Sequence, residues 1–590
     1  SYTLGGSAEV ETLSTNNYSS TQAINLTGNL YNQTIVGNAG ANILHGGGGV
    51  DILMGLGGND VYYVDVAGVQ IAEAAGGGSD TIYTGVSYAL ASGLEVETLS
   101  ANNYAAAIAI NLTGNAFAQN LIGNAGANIL IGGGGADILN GLGGNDTYYV
   151  DAAGVQIVEA VGGGNDAIYT ALSYALANGA EVETLSAINY GATTALNLTG
   201  NAFAQSIIGN AGNNTLVGGG GADFLNGLGG NDIYYVEAAG VVVAEAAGGG
   251  NDAIYASVSH ALAAGAEVEL LSTNDYASTT AINLTGNKLA QTIVGNAGAN
   301  VLIGGGGADI LYGLGGNDTY YVDVAGVQVA EAAGGGSDTI YSGVSFTLAS
   351  GQEVELLSAN SYGATTAINL TGNNFAQTII GNAGANILHG GGGADILNGL
   401  GGNDIYYVDV STVQVAEASG GGADIVYASV SYALGSGVQV ETLSTNSLGA
   451  TAAINLTGNA LAQGLFGNAG ANVLDGGAGR DELTGYGGAD RFTFTTALGG
   501  DNFDHINDFQ TGVDKIVLEN AVFTVLGTGP IAANAFVAGA AAADADDRIV
   551  YNSATGQLFY DADGNGAGAA VQFATLATGL ALTASDFQVI

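Results

Sequence analysis

The sequence predicts an all-β protein built as a parallel β-solenoid, and three observations predict it. First, an 86-residue unit recurs six times without insertion: Asp60 returns as Asp146, Asp232, Asp318, Asp404 and Asp490, and LTGN at 26–29 returns at 112, 198, 284, 370 and 456. Second, apolar residues inside each unit alternate with polar ones, the period of a strand with one buried face. Third, the chain has 103 glycines and one proline, and no stretch of it repeats apolar residues at helical spacing. A strictly periodic chain of this kind buries its apolar face by stacking one turn on the next.

Each unit is organised around a glycine-rich stretch, GNAGANILHGGGGVDILMGLGGND at 37–60 in the first. It contains three nine-residue blocks, Gly37–His45, Gly46–Met54 and Gly55–Tyr63. Each is a hexapeptide ending in Asn42, Asp51 or Asp60, followed by three strand-like residues. Leu44 is Leu in every copy (Leu130, Leu216, Leu302, Leu388, Leu474), whereas the next residue reads His45, Ile131, Val217, Ile303, His389 and Asp475. A side chain fixed beside so free a neighbour is locked in a core. Leu53 repeats in the same way. Beyond Tyr63, the residues Val69, Ile71 and Glu73 share one side, and AGGGSD at 75–80 forms a fourth loop of the same type.

Further strands are expected at Thr81–Tyr83, Glu95–Ser100 and Ala109–Thr113, and the odd spacing of Val96 and Leu99 marks a corner or bulge. At about eighteen residues per turn, one unit makes five slightly short turns and advances ~24 Å. The units are residues 1–86, 87–172, 173–258, 259–344, 345–430 and 431–516. The period breaks after Asp490, and 517–590 form a small β-rich C-terminal region.

Charge narrows the chemistry. With 52 acidic and five basic residues the net charge is −47, which excludes nucleic acid and anionic membranes as partners. About two dozen divalent ions would cancel it, and a shell of carboxylates and backbone carbonyls selects calcium. A glycine-rich loop also cradles phosphate, but that use needs a lysine or a helix start after the glycines, and neither follows here. No stretch approaches the ~20 apolar residues of a membrane span. Cysteine is absent.

The candidate calcium ligands fall in columns, at two to four ions per repeat. The first is Asp51, Asp137, Asp223, Asp309, Asp395 and Asp481; the second is Asp60, Asp146, Asp232, Asp318, Asp404 and Asp490. Stacking brings a third column (Asp65, Asp151, Glu237, Asp323 and Asp409) near the first. It brings a fourth (Asp80, Asp166, Asp252, Asp338 and Asp424) near the second. Asn42 and Gln33 hold the aspartate place in their loops, where an amide either lends one oxygen to a cation or closes an inward hydrogen bond. Glu73 has two readings: paired with a cation on the buried face, or past the strand end and in water.

The middle block fits G-G-x-G-x-D-x-U-x, and on this motif the chain resembles the RTX (repeats-in-toxin) calcium-binding proteins. The segment DNFDHINDFQTGVDKIVL at 501–518 is similar to the block that closes their calcium roll, and the tail ending in DFQVI is similar to their C-terminal ends. The resemblance implies a right-handed β-roll and an uncleaved C-terminal signal read by a type I secretion machinery. It also implies an extracellular or cell-surface location on a Gram-negative bacterium. DADGNGAG at 561–568 resembles the start of an EF-hand loop, but position twelve is Gln572, so a hairpin turn is the expectation.

No catalytic constellation stands out, and an enzyme is not expected: His45 and His389 alternate with isoleucine in other copies, His260 with Tyr174, and His505 is isolated. Tyr63, Tyr149, Tyr235, Tyr321 and Tyr407 are expected to face outward as a row, by β-propensity or for protein contact. The expected function is a calcium-stabilised structural subunit of a filament, surface layer or biofilm matrix, self-associating head to tail. The alternatives are the carrier of a larger secreted enzyme or toxin, and the spacer of an adhesin.

Overall fold

The computed structural model of the chain describes residues 1–73 and 75–590. Among them, regular structure is strand apart from two short 3-10 helices, Ala533–Ala535 and Ala584–Asp586. Two compact units are formed, Ser1–Tyr276 with Ile282–Val294, and Ala277–Ala281 with Gly295–Ile590.

In the first unit the chain winds as a parallel β-solenoid. Short strands alternate between two sheets, so each pairs in parallel with the strand two places on. Leu26–Thr27 pairs with Ile43–His45, then Val61–Val64, Thr81–Thr84 and Thr98–Ala101 follow in one sheet. Thr34–Val36, Ile52–Met54 and Gln70–Ala72 follow in the other. The register stacks Leu26, Leu44, Tyr62, Ile82 and Leu99 in one column and Ile35, Leu53 and Ile71 in a second, all buried. Each such side chain contributes about 1.5–3 kcal/mol by leaving water. Val96 is buried just ahead of Thr98–Ala101, so it turns the corner, and the strand expected over Glu95–Ser100 starts three residues later.

The number of turns per repeat corrects the sequence expectation. Eight strands lie between Tyr2–Thr3 and its counterpart Tyr88–Ala89, the tenth, so 86 residues make nine half-turns, which is four and a half turns and not five. The advance is about 22 Å per repeat. The reason is unequal turns: Leu44 to Tyr62 spans 18 residues, Tyr62 to Ile82 spans 20, Ile82 to Leu99 spans 17 and Leu99 to Leu121 spans 22. Equivalent residues of successive repeats therefore fall on opposite sheets. The strand holding Leu130 joins the sheet across from that of Leu44.

The half turn comes with an interruption. One sheet ends at Gln70–Ala72 and a new one begins on the same face at Tyr88–Ala89, while the opposite sheet runs on through Val61–Val64, Thr81–Thr84 and Thr98–Ala101. The break recurs between Gln156–Val158 and Tyr174–Ala175, and between Val242–Ala244 and His260–Ala261. In the first two, the phenols of Tyr88 and Tyr174 lie beside the backbone of Ile71 and Ile157.

The second unit follows the same plan, with one sheet running from Val301–Ile303 to Thr339–Ser342 and on to Gln414–Ala416. It breaks between Gln328–Ala330 and Phe346–Thr347 and again between Gln414–Ala416 and Tyr432–Ala433. At its C-terminal part Asp504–Ile506 pairs with Val571–Thr575, which joins Gln557–Tyr560 and Ile549–Asn552 in an antiparallel meander. The segment 561–568 is the hairpin connection between the last two strands before the C-terminus of that meander, Gln557–Tyr560 and Val571–Thr575.

Candidate metal centre

Every glycine-rich loop stacks on the loop one turn away, and the last residue of the hexapeptide makes the joint. Asp51 Oδ1 accepts the Gln33 N–H at 2.7 Å, Asp60 Oδ1 accepts the Asn42 N–H at 2.6 Å, and Asp80 Oδ1 accepts the Asp60 N–H at 2.7 Å. Glu97 continues the ladder by accepting the Asp80 N–H at 2.6 Å. One carboxylate oxygen of each aspartate is thereby used to align turns. In Leu56 and its counterparts Leu142, Leu228, Leu314 and Leu400 the loop forces φ to 75–79° on a non-glycine residue, a backbone conformation that costs about 1–3 kcal/mol.

The second oxygen tells the two loop types apart. Oδ2 of Asp51, Asp60 and Asp80 is buried with no hydrogen-bond partner, and the same holds for Asp137, Asp146, Asp166, Asp223, Asp232, Asp252, Asp318, Asp338, Asp395, Asp404, Asp424 and Asp481. The amide loops are closed. Asn42 Oδ1 accepts the Asn38 N–H at 2.8 Å while its amide donates to Asn38 Oδ1 at 3.0 Å, and Gln33 makes the same exchange with Asn29 at 3.1 and 2.8 Å. Asn42 and Gln33 thus form inward hydrogen bonds. A buried carboxylate oxygen without a partner is costly, and a row of them fits a cation.

In five repeats the second and fourth columns converge with a third carboxylate. Carboxylate oxygens of Asp60, Glu73 and Asp80 lie within 4.8 Å of one another, as do those of Asp146, Glu159, Asp166; Asp232, Glu245, Asp252; Asp318, Glu331, Asp338; and Asp404, Glu417, Asp424. A buried tyrosine completes each group, its hydroxyl donating to the glutamate: Tyr62 to Glu73, Tyr148 to Glu159, Tyr234 to Glu245, Tyr320 to Glu331 and Tyr406 to Glu417. The Tyr148 hydroxyl also accepts the Gly141 N–H at 2.9 Å, which fixes its direction. A methyl group on Gly313 would collide with Asp318 Oδ2, the Tyr320 hydroxyl and Glu331 Oε2 alike. All three face one small cradle.

Burial pushes these acids up. Asp146 rises to about 7 and Asp166 to about 6, each raised first by desolvation and then by a neighbouring carboxylate. Glu159 rises to about 7 for the same first cause, against the pull of the Tyr148 hydrogen bond. Three acids that resist ionising together, beside oxygens that lack donors, make a site for a hard divalent ion. An all-oxygen donor set of this kind fits calcium, which the aspartates and the glutamate could hold.

The first and third columns behave differently. Asp51, Asp137, Asp223, Asp395 and Asp481 keep the bare oxygen, and no member of this column joins a three-carboxylate group among the described residues. Asp65 is half-exposed and contacts His45, as Asp409 contacts His389, while Asp151 accepts the Gly133 N–H at 2.9 Å beside the Asp137 loop. At the end of the array Asp504 takes the Asp481 N–H at 3.2 Å and Asp514 takes the Asp490 N–H at 2.9 Å. Burial and the neighbouring Asp481 push Asp504 up to about 8.

Sequence reasoning missed Asp504, Asp514 and Glu97. The signal for Glu97 was its recurrence as Glu183, Glu269, Glu355 and Glu441, outside any glycine-rich loop. The tyrosines expected in one outward row alternate between sheets, each stacked on a second tyrosine: Tyr63 on Tyr83 at 5.6 Å and Tyr149 on Tyr169 at 5.8 Å.

Fold and site together define a parallel β-solenoid carrying periodic rows of buried carboxylates. The family model of the RTX calcium-binding nonapeptide repeat, in four copies, matches residues 27–62, 113–148, 199–234, 285–320, 371–406 and 465–494. The chain thus carries RTX-type calcium-binding nonapeptide repeats in each of its six 86-residue units. Among curated proteins none matches it. No helix among the described residues is long and apolar enough to cross a membrane.

Proposed function

We propose that this chain is an extracellular, calcium-stabilised structural protein with no catalytic role, a subunit of a filament, surface layer or biofilm matrix. The observation that carries this reading is the ladder of buried aspartates with one bare oxygen each, repeated at a fixed period in both units. A solenoid built on such a ladder is rigid where calcium is millimolar and unstable where it is scarce, which suits a protein exported unfolded through a type I system and folded outside. Two to four ions per repeat are held by the Asp60, Glu73 and Asp80 set and by the Asp51 column.

Within each unit one turn stacks on the next through parallel strands, a mode of pairing that a second copy can continue. Such a contact is heterologous and propagates head to tail. Sedimentation velocity and negative-stain imaging at high protein concentration in millimolar calcium test the assembly. End-to-end polymers are expected, and a persistent monomer would favour a carrier or spacer role within a larger secreted protein.

A further inference from the structure

The three-carboxylate centres and the sheet interruptions occupy the same place in the fold. In the third repeat the last strand before the break is Val242–Ala244, and the next residue is Glu245. Asp232 and Asp252 directly precede Ile233–Val236 and Ala253–Ala256, neighbours in the sheet that runs on unbroken. The centre therefore joins the free end of an interrupted sheet to two turns of an intact one. A groove of about 380 Å³ lies at this break, lined by Val242, Glu245 and Ala263 among others. One of about 420 Å³, lined by Val415, Glu417 and Val438 among others, lies at the break in the fifth repeat.

The sixth repeat supplies the control. There the tyrosine position is Phe492, and the strand register, Leu483 beside Ile506 as Leu53 is beside Ile71, puts Asp508 at the glutamate position, where its carboxylate accepts the N–H groups of Gly485 at 3.0 Å and Tyr486 at 2.6 Å. In that repeat Asp504–Ile506 pairs on both sides, with Glu482–Thr484 and with Val571–Thr575, and its sheet is not interrupted. Five breaks carry five centres among the described residues, and the repeat without the break has phenylalanine for the tyrosine and no converged group of three carboxylates among the described residues.

The acidic cluster does not stand alone as evidence of a ligand. Asp232 and Asp252 are each 1% exposed, and each leaves Oδ2 without a hydrogen-bond partner. A methyl on Gly227 would collide with both Asp232 Oδ2 and the Tyr234 hydroxyl, so these atoms face the same cradle.

We propose that each Asp–Glu–Asp centre is the clasp of an interrupted sheet: a divalent cation held by Asp232, Glu245 and Asp252, and by their counterparts, locks the strand Val242–Ala244 to the unbroken sheet, and its loss opens that joint before the rest of the repeat. The tyrosine is a positioning residue that aims the glutamate at the aspartates. The proposal rests on the calcium-binding reading above and adds a local consequence to it. Local opening of this kind is read by amide exchange.

The test uses the full chain in saturating calcium, with bound calcium counted by elemental analysis and amide exchange followed by mass spectrometry. Glu245→Gln is expected to release one ion and to speed exchange at Val242–Ala244 at least tenfold, leaving Thr215–Val217 unchanged. Tyr234→Phe, whose ring is accommodated as Phe492 in the sixth repeat, is expected to speed exchange at the same strand at least threefold, and it carries the test should Glu245→Gln not fold. Loss of the ion without faster local exchange, or exchange that rises equally along the whole repeat, would overturn the clasp and leave calcium binding standing. A wild-type chain that binds no calcium would overturn both.

Discussion

At the scale of the residue, the chain distinguishes two side chains that differ by one atom group. Asn214 closes its loop against Asn210, with its Oδ1 accepting at 2.7 Å and its amide donating at 3.1 Å, while Asp232 in the next loop leaves Oδ2 bare. Asp232→Asn should therefore change sign with conditions. Burial holds Asp232 at about 7, so in metal-free protein at pH 8 the amide should stabilise, on the order of 3 kcal/mol. In saturating calcium the same variant should lose one ion and melt lower; the β-signal in circular dichroism in chelator at pH 8, higher for the variant than for the wild type, and thermal melts in calcium would show the crossing, and a change of the same sign in both would refute it. Gly227→Ala has no backbone penalty from a left-handed conformation, so its effect is the collision with Asp232 Oδ2 and the Tyr234 hydroxyl. We expect one ion fewer by elemental analysis and a loss of about 1–3 kcal/mol. The aspartate columns were legible because copies within one chain repeat them. The role of Glu73 was not: the strand does end at Ala72, as the solvent reading required, yet the next side chain turns toward the aspartates.

At the scale of the element, the core columns were legible and the turn count was not. Leu44 and Leu53 announce themselves by holding fixed beside variable neighbours, but nothing in composition marks turns of 17 against 22 residues. The interruption after Gln70–Ala72 escaped for a related reason, since Tyr88 reads as an ordinary strand residue although its strand pairs only with the one that follows. Core strands should fail locally: Leu216→Ala removes a fully buried side chain and should cost about 2–5 kcal/mol. Its effect on amide exchange should be concentrated in the adjoining turns, because solenoid coupling runs between neighbours. Uniform destabilisation of distant turns would contradict that. The carboxylate centres also set a pH dependence for the metal-free chain. Asp146, Glu159 and Asp166 sit at about 7, 7 and 6 when folded, against about 4 when unfolded. Raised carboxylates favour the fold fully below about pH 4 and lose that contribution as pH rises through about 6–7. Metal-free protein should thus show more β-structure at pH 5 than at pH 8 by circular dichroism, and the reverse order would refute it.

At the scale of the whole molecule, a net charge of −47 on a repeat array has one physical remedy, which is bound cation. The central claim is that folding and cation binding are a single event, because the bare oxygens lie between turns that must stack for the fold to exist. The most direct measurement is a calcium titration of chelator-treated full-length chain at pH 8, with the β-signal in circular dichroism and bound calcium recorded on the same samples. The account predicts a largely disordered chain without calcium and a rise in β-signal that tracks ion uptake up to two to four ions per repeat. A full native β-spectrum in excess chelator at that pH, with calcium adding nothing to it, would contradict it.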